Sequence, residues 1–486
     1  MIKMTLGQVA NILGLKALAK PAVVPGHHAP VASNDGSYHG YLESTSPLNP
    51  REENLEFIGL CFDTRKLEPH NLFIALPGEK VDGHDFVEEA RLKGARAAMV
   101  TRRVEVDLPQ IVVSDAVHAL GKLATTWRNF FNLPIVAVTG SNGKTTLKNM
   151  IRSILVSACA GDAEKVLATV GNLNNHLGLP LTLSRLNQNH RYAVLEMGMS
   201  HFGEIEYLTK MTRPTVALIS NAAAAHLEGV GDLTGVACAK AEIFLGLAQD
   251  GMAILNRDDA FFSFWREQIG MHQYLTFGFH PDADITLATF EQPVVNGLQP
   301  LHLKTPIGTI DVELPLLGRH NTLNALAATA ATLSIGTDLV AIKAGLEAIA
   351  PAQGRLQLHA LPNGVKIIDD SYNANPVSMQ AAVHTLRSFV GKKILVMGDM
   401  KELGPEEKLL HTHAGEEIRD ADIDFLFTFG ELSAHAAYAF GEGAYHFSDQ
   451  TKLISALKPF LCHPATILVK GSRSMQMEEI VKGLLT

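Results

Sequence analysis

Cysteine, positive charge and long apolar runs are all in short supply in this chain, and each shortage removes a class of protein. Among 486 residues there are four cysteines (Cys61, Cys159, Cys238 and Cys462), far apart and with no C-x-x-C pair. A disulfide scaffold or a thiolate zinc site needs thiols that are more numerous and closer together, so free thiols in a reducing compartment are expected. No apolar stretch approaches the ~20 residues that cross a bilayer. The first residues, Met1 to Gln8, lack the apolar core of a signal peptide. A cytoplasmic protein without a membrane span is expected. Lysine and arginine number 41 against 50 aspartate and glutamate, a net charge of -9. That balance argues against a general nucleic-acid binder, which must neutralise phosphates. What the chain does have is 47% hydrophobic residues, enough for sizeable cores and, at roughly 100–200 residues each, about three domains.

Periodicity divides the chain. Thr5 to Leu18 has the spacing of a short amphipathic helix. Pro21 to Glu56 is rich in Pro, His, Ser, Asn and Gly without a clear period, and reads as a long loop or insertion. His27, His28 and His39 within it are expected to be solvated rather than metal ligands. Residues 72–76, 97–100 and 111–113 read as strands, with helices at 85–93 and 116–129, giving a small α/β first domain over residues 1–133. Pro134 opens a second domain, residues 134–350. Its strands are short continuous apolar runs at 135–138, 192–195, 215–220 and 252–255, as in a parallel sheet covered on both faces. Residues 272–317 are more strand-like, with turn signals at Asn296-Gly297 and Pro306-Ile307-Gly308, and helices at 321–333 and 339–349 close the domain. Residues 351–486 alternate strands (365–369, 393–397, 425–429, 466–469) with helices, a doubly wound, Rossmann-like unit.

The run Val136-Ala137-Val138-Thr139-Gly140-Ser141-Asn142-Gly143-Lys144-Thr145-Thr146 carries most of the chemistry. An apolar strand, a glycine turn and Lys-Thr opening a helix are how a protein holds a nucleoside triphosphate. Lys144 reaches toward the β/γ-phosphates, and the Thr145 hydroxyl suits Mg²⁺. The motif is a short form, because Val138 stands where the longer pattern has glycine. The alternative is a chance glycine turn, against which the strand–turn–helix context argues. Glu196 ends the strand at 192–195, where an acid downstream of such a loop can hold Mg²⁺. His226 follows the strand ending at Ser220, either as a metal ligand or as a residue orienting its loop. Lys240 lies on a helix and by itself reads as an exposed lysine. In the last domain Asp369-Asp370-Ser371-Tyr372-Asn373-Ala374-Asn375-Pro376 and Lys470-Gly471-Ser472-Arg473-Ser474 follow strands, where doubly wound folds place ligands. Each is also compatible with an ordinary strand-to-helix turn.

Together with Asp63–Lys66, Gly171–Asn175, Gly318–Asn321, Gly354-Arg355 and Gly398–Met400, these segments resemble the Mur ligase family over nearly the whole chain. The Asn172-Leu173-Asn174-Asn175, Asp369–Asn375 and Lys470–Arg473 segments resemble the branch that joins D-alanyl-D-alanine to UDP-N-acetylmuramoyl-tripeptide. The resemblance implies ATP and Mg²⁺, two ions, as cofactors. It implies that Thr145, Glu196, His226 and a carbamylated Lys240 hold the metal. Gly140, Ser141, Asn142, Gly143, Lys144, Thr145, Thr146, Asn321, Arg355 and Asp370 would bind ATP. Asp63, Thr64, Arg65, Lys66, Asn172, Asn174, Asn175, Asn373, Asn375, Lys470, Ser472 and Arg473 would bind the other substrates. Lys144, His226 and Lys240 would be catalytic. The first domain would bind the UDP-sugar peptide, the second ATP, and the third D-alanyl-D-alanine while closing the site. The implied reaction is amide ligation through an acyl phosphate by a monomeric enzyme of peptidoglycan precursor synthesis. The alternatives are another ligase of the superfamily, such as one of folylpolyglutamate synthase type, or a P-loop kinase or nucleotide-gated binding protein.

Overall fold

The computed structural model describes residues 1–15, 50–78, 81–223, 227–289, 298–350, 354–361, 363–462 and 464–486. Most of the Pro21–Glu56 loop, with His27, His28 and His39, lies outside them, as do the Asn296-Gly297 turn and His226. The chain forms two compact units, Met1–Leu133 with Thr169–His190, and Pro134–Ala168 with Arg191–Thr486.

In the first unit, strands Leu60–Cys61, Leu72–Ile74, Ala97–Val100 and Gln110–Val112 form a four-stranded parallel sheet in that order. Alternate residues of a strand face opposite sides. Leu72, Ile74, Ala97 and Met99 therefore pack with Leu6, Val9, Leu120 and Leu123, while Phe73, Ala98 and Val100 pack with Val87 and Ala90. The first helix is shorter than its apolar spacing predicts. It runs Leu6–Leu13, because Gly14 turns left-handed (φ 73°) and its N–H bonds back to the last turn. The tail of the predicted loop is also ordered, as helix Pro50–Glu53 and strand Glu56–Ile58, the latter paired antiparallel with Lys3–Thr5.

Residues Thr169–His190 leave the run 134–350 and pack with the first unit. Leu177 joins the core that holds Leu120 and Leu123, and the Trp127 Nε1–H donates to the Leu186 carbonyl at 3.1 Å.

The second unit holds two large sheets. Six parallel strands run in the order Gln273–Phe277, Met252–Asn256, Val216–Ile219, Ile135–Thr139, Tyr192–Glu196, Val166–Ala168. Strand Ile135–Thr139 is buried throughout, which explains its unbroken apolar run. A three-stranded antiparallel sheet, Thr286–Leu287, Gln299–Thr305 and Gly308–Leu314, turns at Pro306-Ile307. Both share a core with helices Lys144–Ala158, Arg319–Leu333 and Leu339–Glu347. The other large sheet runs Gln357–Ala360, Lys366–Asp370, Ala465–Lys470, Lys392–Gly398, Phe425–Phe429, Ala444–Phe447. All its pairs are parallel except the first. Ile368, Leu395 and Leu468 face one helical layer, and Ile367, Ile394 and Ile467 the other, so the sheet is wound on both faces. The strand that comes last in sequence, Ala465–Lys470, lies between Lys366–Asp370 and Lys392–Gly398, a switch in strand order at which such folds bind ligands. Among the described residues no helix is long and apolar enough to cross a membrane, and all four cysteines are free.

Candidate active site

Strand Ile135–Thr139 ends with the Thr139 hydroxyl donating to the Met197 carbonyl at 2.9 Å, so two adjacent strands finish level. At Gly140, which follows, a Cβ would lie 1.9 Å from Ser220 Oγ. Gly143 (φ 78°) caps helix Lys144–Ala158, and its missing Cβ leaves room for the Asn324 amide.

The loop between these glycines is braced from the next strand. Ser141 N–H donates to Asn221 O (3.1 Å), Asn142 N–H to Asn221 Oδ1 (3.0 Å), and Asn221 Nδ2 to Asn142 O (3.1 Å). The brace has its own support. Asn256 Nδ2 donates to Ser220 O at 2.8 Å, and Asp259 Oδ2 accepts from Ala222 N at 2.9 Å. Asn256 and Asp259 follow from the strand-end rule, since they end and follow strand Met252–Asn256, but neither belongs to a recognisable motif.

Ionisable side chains gather around the loop, and Glu196, Lys148 and Lys240 among them are buried. Lys144 Nζ donates to Gly140 O (2.7 Å) and Ser141 O (3.3 Å). Burial pushes its pKa down, against the pull of Glu196 and with a push from Arg355. Glu196, 2% exposed, accepts from the Thr145 hydroxyl at 3.0 Å. Lys148, one turn on, is also buried, and burial lowers its pKa against the pull of Glu196. Lys240 is not the exposed helix lysine its surroundings in the sequence indicate. It is 2% exposed, and burial and then Lys144 hold its pKa far below that of an ordinary lysine, with Asp259 opposing. Burial conversely raises the pKa of Asp259. The site thus disfavours an ammonium on Lys240.

A second group of residues comes from the ends of the C-terminal strands. Lys470 Nζ donates to Asp370 Oδ2 (2.6 Å) and Asn373 O (3.0 Å), with both charged groups largely buried. Asp370 Oδ1 accepts from Leu356 N (3.2 Å), and the Arg355 guanidinium stacks 4.3 Å from the Tyr372 ring. Asn375 caps helix Pro376–Arg387 and bonds Asn142 of the phosphate loop. Asn321 is buried at the start of helix Arg319–Leu333, where its Nδ2 donates to Leu317 O at 2.8 Å and its Oδ1 accepts from Asn324. His320 beside it has its pKa lowered to about 4, mainly by burial. Ser472 is held by the Lys401 N–H (2.8 Å), whereas Arg473 is exposed and pairs with Glu478 (2.6 Å).

In the first unit, Asp63 caps the turn Thr64–Lys66 and takes Arg65 in a two-pronged pair at 2.8 and 2.9 Å. Thr64 is buried. Asn175 Oδ1 accepts from Leu177 N (3.2 Å) and Gly178 N (2.9 Å), fixing the turn that enters helix Gly178–Ser184, while Asn172 is exposed and Asn174 half-buried. His226 lies outside the described residues.

A glycine loop between a buried parallel strand and a helix, with a lysine, a threonine and a strand-end glutamate converging on it, places the chain among α/β proteins of the phosphate-loop type. Family comparisons narrow the class. The Mur ligase middle domain matches residues 138–332, the Mur ligase glutamate ligase domain residues 354–473, and the Mur ligase family catalytic domain residues 56–128. The UDP-N-acetylmuramoyl-tripeptide–D-alanyl-D-alanine ligase of Escherichia coli K12 is 46% identical over 427 residues, 87% of this chain and 92% of that protein. A crystal structure of MurF from Acinetobacter baumannii superposes with a TM-score of 0.87 at 33% identity, covering 100% of this chain and 99% of that one. MurF from Thermotoga maritima in complex with ADP gives 0.78 at 27% identity, covering 88% and 97%. The chain belongs to the Mur ligase family.

Proposed function

We propose that this chain is an ATP-dependent ligase that joins D-alanyl-D-alanine to UDP-N-acetylmuramoyl-tripeptide, giving the UDP-linked pentapeptide, ADP and phosphate. The E. coli relative bears that name and the T. maritima structure was solved with ADP. One observation carries the reading: a phosphate loop with Lys144 and a Thr145–Glu196 pair is hydrogen-bonded directly to the polar strand-end loop that carries Asn375. A nucleotide site and a second polar site are thereby joined, as a reaction of ATP with two further substrates requires.

A carboxylate is a poor acyl donor, so the peptide carboxylate first attacks the γ-phosphorus and ADP leaves. The amine then attacks the acyl carbon, loses a proton and expels phosphate. The acceptor and donor groups are all substrate atoms, and no protein nucleophile is required. Lys144 exchanges its loop carbonyls for phosphate oxygens, a charge-assisted bond that strengthens as charge develops. Arg355, stacked on Tyr372 and close enough to Lys144 to disfavour its ammonium, adds a second cation on the same side. The Lys470–Asp370 bond, with the one from Lys470 to Asn373 O, fixes the loop from Asp370 to Asn375.

The donors at hand fit Mg²⁺. Glu196 and Thr145 offer hard oxygens, and no cluster of three His, Cys, Asp or Glu among the described residues forms a closed cage. Mg²⁺ is commonly bound in this way, with waters and phosphates completing the shell. When bound it would neutralise charge on the transferred phosphoryl group. Burial shifts Lys240 toward the neutral amine, the form able to attack carbon dioxide with loss of a proton and so become carbamylated. The product is an anionic oxygen donor, which a divalent-cation site favours. His226 is proposed as a further ligand by family resemblance.

Residues 1–133 are proposed to bind the UDP-sugar peptide through Asp63–Lys66, residues 134–350 ATP, and residues 351–486 D-alanyl-D-alanine. The test is phosphate release from Mg-ATP with each co-substrate omitted in turn. Release requiring both, with the UDP-pentapeptide seen by mass spectrometry, is expected. Release supported by a different amine moves the protein to another branch of the family.

A further inference from the structure

Asn142 stands where the phosphate loop meets the C-terminal strand ends. Its backbone is fully engaged: N–H to Asn221 Oδ1 (3.0 Å), and C=O from Asn221 Nδ2 and Ser220 Oγ (both 3.1 Å). Its side-chain Oδ1 accepts from Asn375 Nδ2 at 2.9 Å. Its Nδ2 is buried and has no partner among the described residues.

The orientation of both amides follows from one donor. The Ser378 N–H can only donate, so Asn375 must turn Oδ1 toward it, at 2.8 Å, to cap helix Pro376–Arg387. Asn375 Nδ2 then faces Asn142, and Asn142 must answer with Oδ1. The Asn142 Nδ2 is left as a buried donor in the phosphate loop. A buried amide N–H without an acceptor costs about 1–3 kcal/mol, and such exceptions call for an explanation. The adjacent Lys144 and the loop itself mark the missing acceptor as an anionic oxygen.

Resting on the ligase reading, we propose that Asn142 Nδ2 donates to an oxygen of the transferred phosphoryl group, and that Asn375 is the positioning residue that aims it. The helix cap of the C-terminal segment thereby sets a donor in the ATP site. The phosphate-loop donor is correctly aimed when the loop Asp369–Asn375 is in place, which couples phosphoryl transfer to the part of the chain proposed to receive the amine.

The test uses the full-length enzyme and a variant that separates cap from latch. Asn375→Ser keeps a capping oxygen but is too short to reach Asn142, so the helix is retained and the latch is lost. Asn142→Ala removes the donor. Each is expected to lower kcat on the order of 100–1,000-fold, as loss of one donor to developing charge does, with KM for ATP little changed. In Asn142→Ala/Asn375→Ser the loss is expected to be no greater than in the worse single variant, because the two act as one unit. Multiplied losses, or full activity in either single variant, would overturn the proposal. An independent readout is hydrogen exchange at the first turn of helix Pro376–Arg387. A non-hydrolysable ATP analogue with Mg²⁺ should slow it in the wild type and not in Asn142→Ala, and equal slowing in both overturns the coupling. This readout needs no amine, so it holds if the wild-type assay assigns a different co-substrate.

Discussion

Single side chains carry most of the proposed chemistry, and burial decides what they can do. Lys144 was legible from its motif, and Lys144→Ala is expected to cut phosphate release by about a thousandfold or more, since it removes a charge aimed at the transferred group; a stopped-time phosphate assay reads it. Lys240 was placed by family resemblance, but its burial came from the fold. Lys240→Ala should be nearly inactive, and short carboxylic acids should restore part of the activity by supplying the lost anion. Full activity without additives would remove the carbamate. His320 sets a pH dependence. Its folded pKa of about 4 lies below the ordinary 6.5, chiefly through burial. The unfolded chain therefore binds the proton first as pH falls. Stability is complete above pH 6.5 and is lost progressively down to about 4, by an amount on the order of 1–3 kcal/mol. In His320→Asn the fall in melting temperature across that window should flatten.

Elements were legible where the apolar period was strong, and less so at their ends. The strand at 135–138 and the helix at 116–129 reappear almost residue for residue. Helix ends are set by hydrogen bonds that periodicity does not report: Gly14 stops the first helix five residues short of its apolar spacing. The edge strands Val166–Ala168, Gln357–Ala360 and Ala444–Phe447 are too short or too exposed to show a pattern. Gly140→Ala should abolish nucleotide binding, measured by calorimetry with Mg-ADP, because its Cβ would overlap Ser220 Oγ. Asn175, expected to face substrate, accepts from Leu177 N and Gly178 N at the entry to helix Gly178–Ser184. Asn175→Ala should cost about 1 kcal/mol of stability whereas Asn175→Asp should not. A loss of activity in Asn175→Asp at unchanged melting temperature would reveal a substrate contact in addition.

The whole molecule is two compact units that share one chain unevenly, since residues 169–190 return to the first. A ligand of the phosphate loop should therefore protect the second unit. Mg-ADP at about 100 times its dissociation constant adds roughly 2.7 kcal/mol, and hydrogen exchange should slow across 134–168 and 191–486 more than across 1–133. Uniform slowing would show that the units do not respond separately. At this scale the division between sequence and structure is clear. The sequence by itself determined the α/β class, the phosphate loop and the family, because each rests on local order: unbroken apolar strands, glycines at a turn, and residues at fixed spacing from them. The tertiary structure alone decided that Lys240 is buried, that Asn256 and Asp259 brace the loop from two strands away, and that Asn375 reaches Asn142. Those contacts join residues tens to hundreds of positions apart. No period or motif encodes them, because burial and hydrogen bonding between distant strand ends exist only once the sheets have formed.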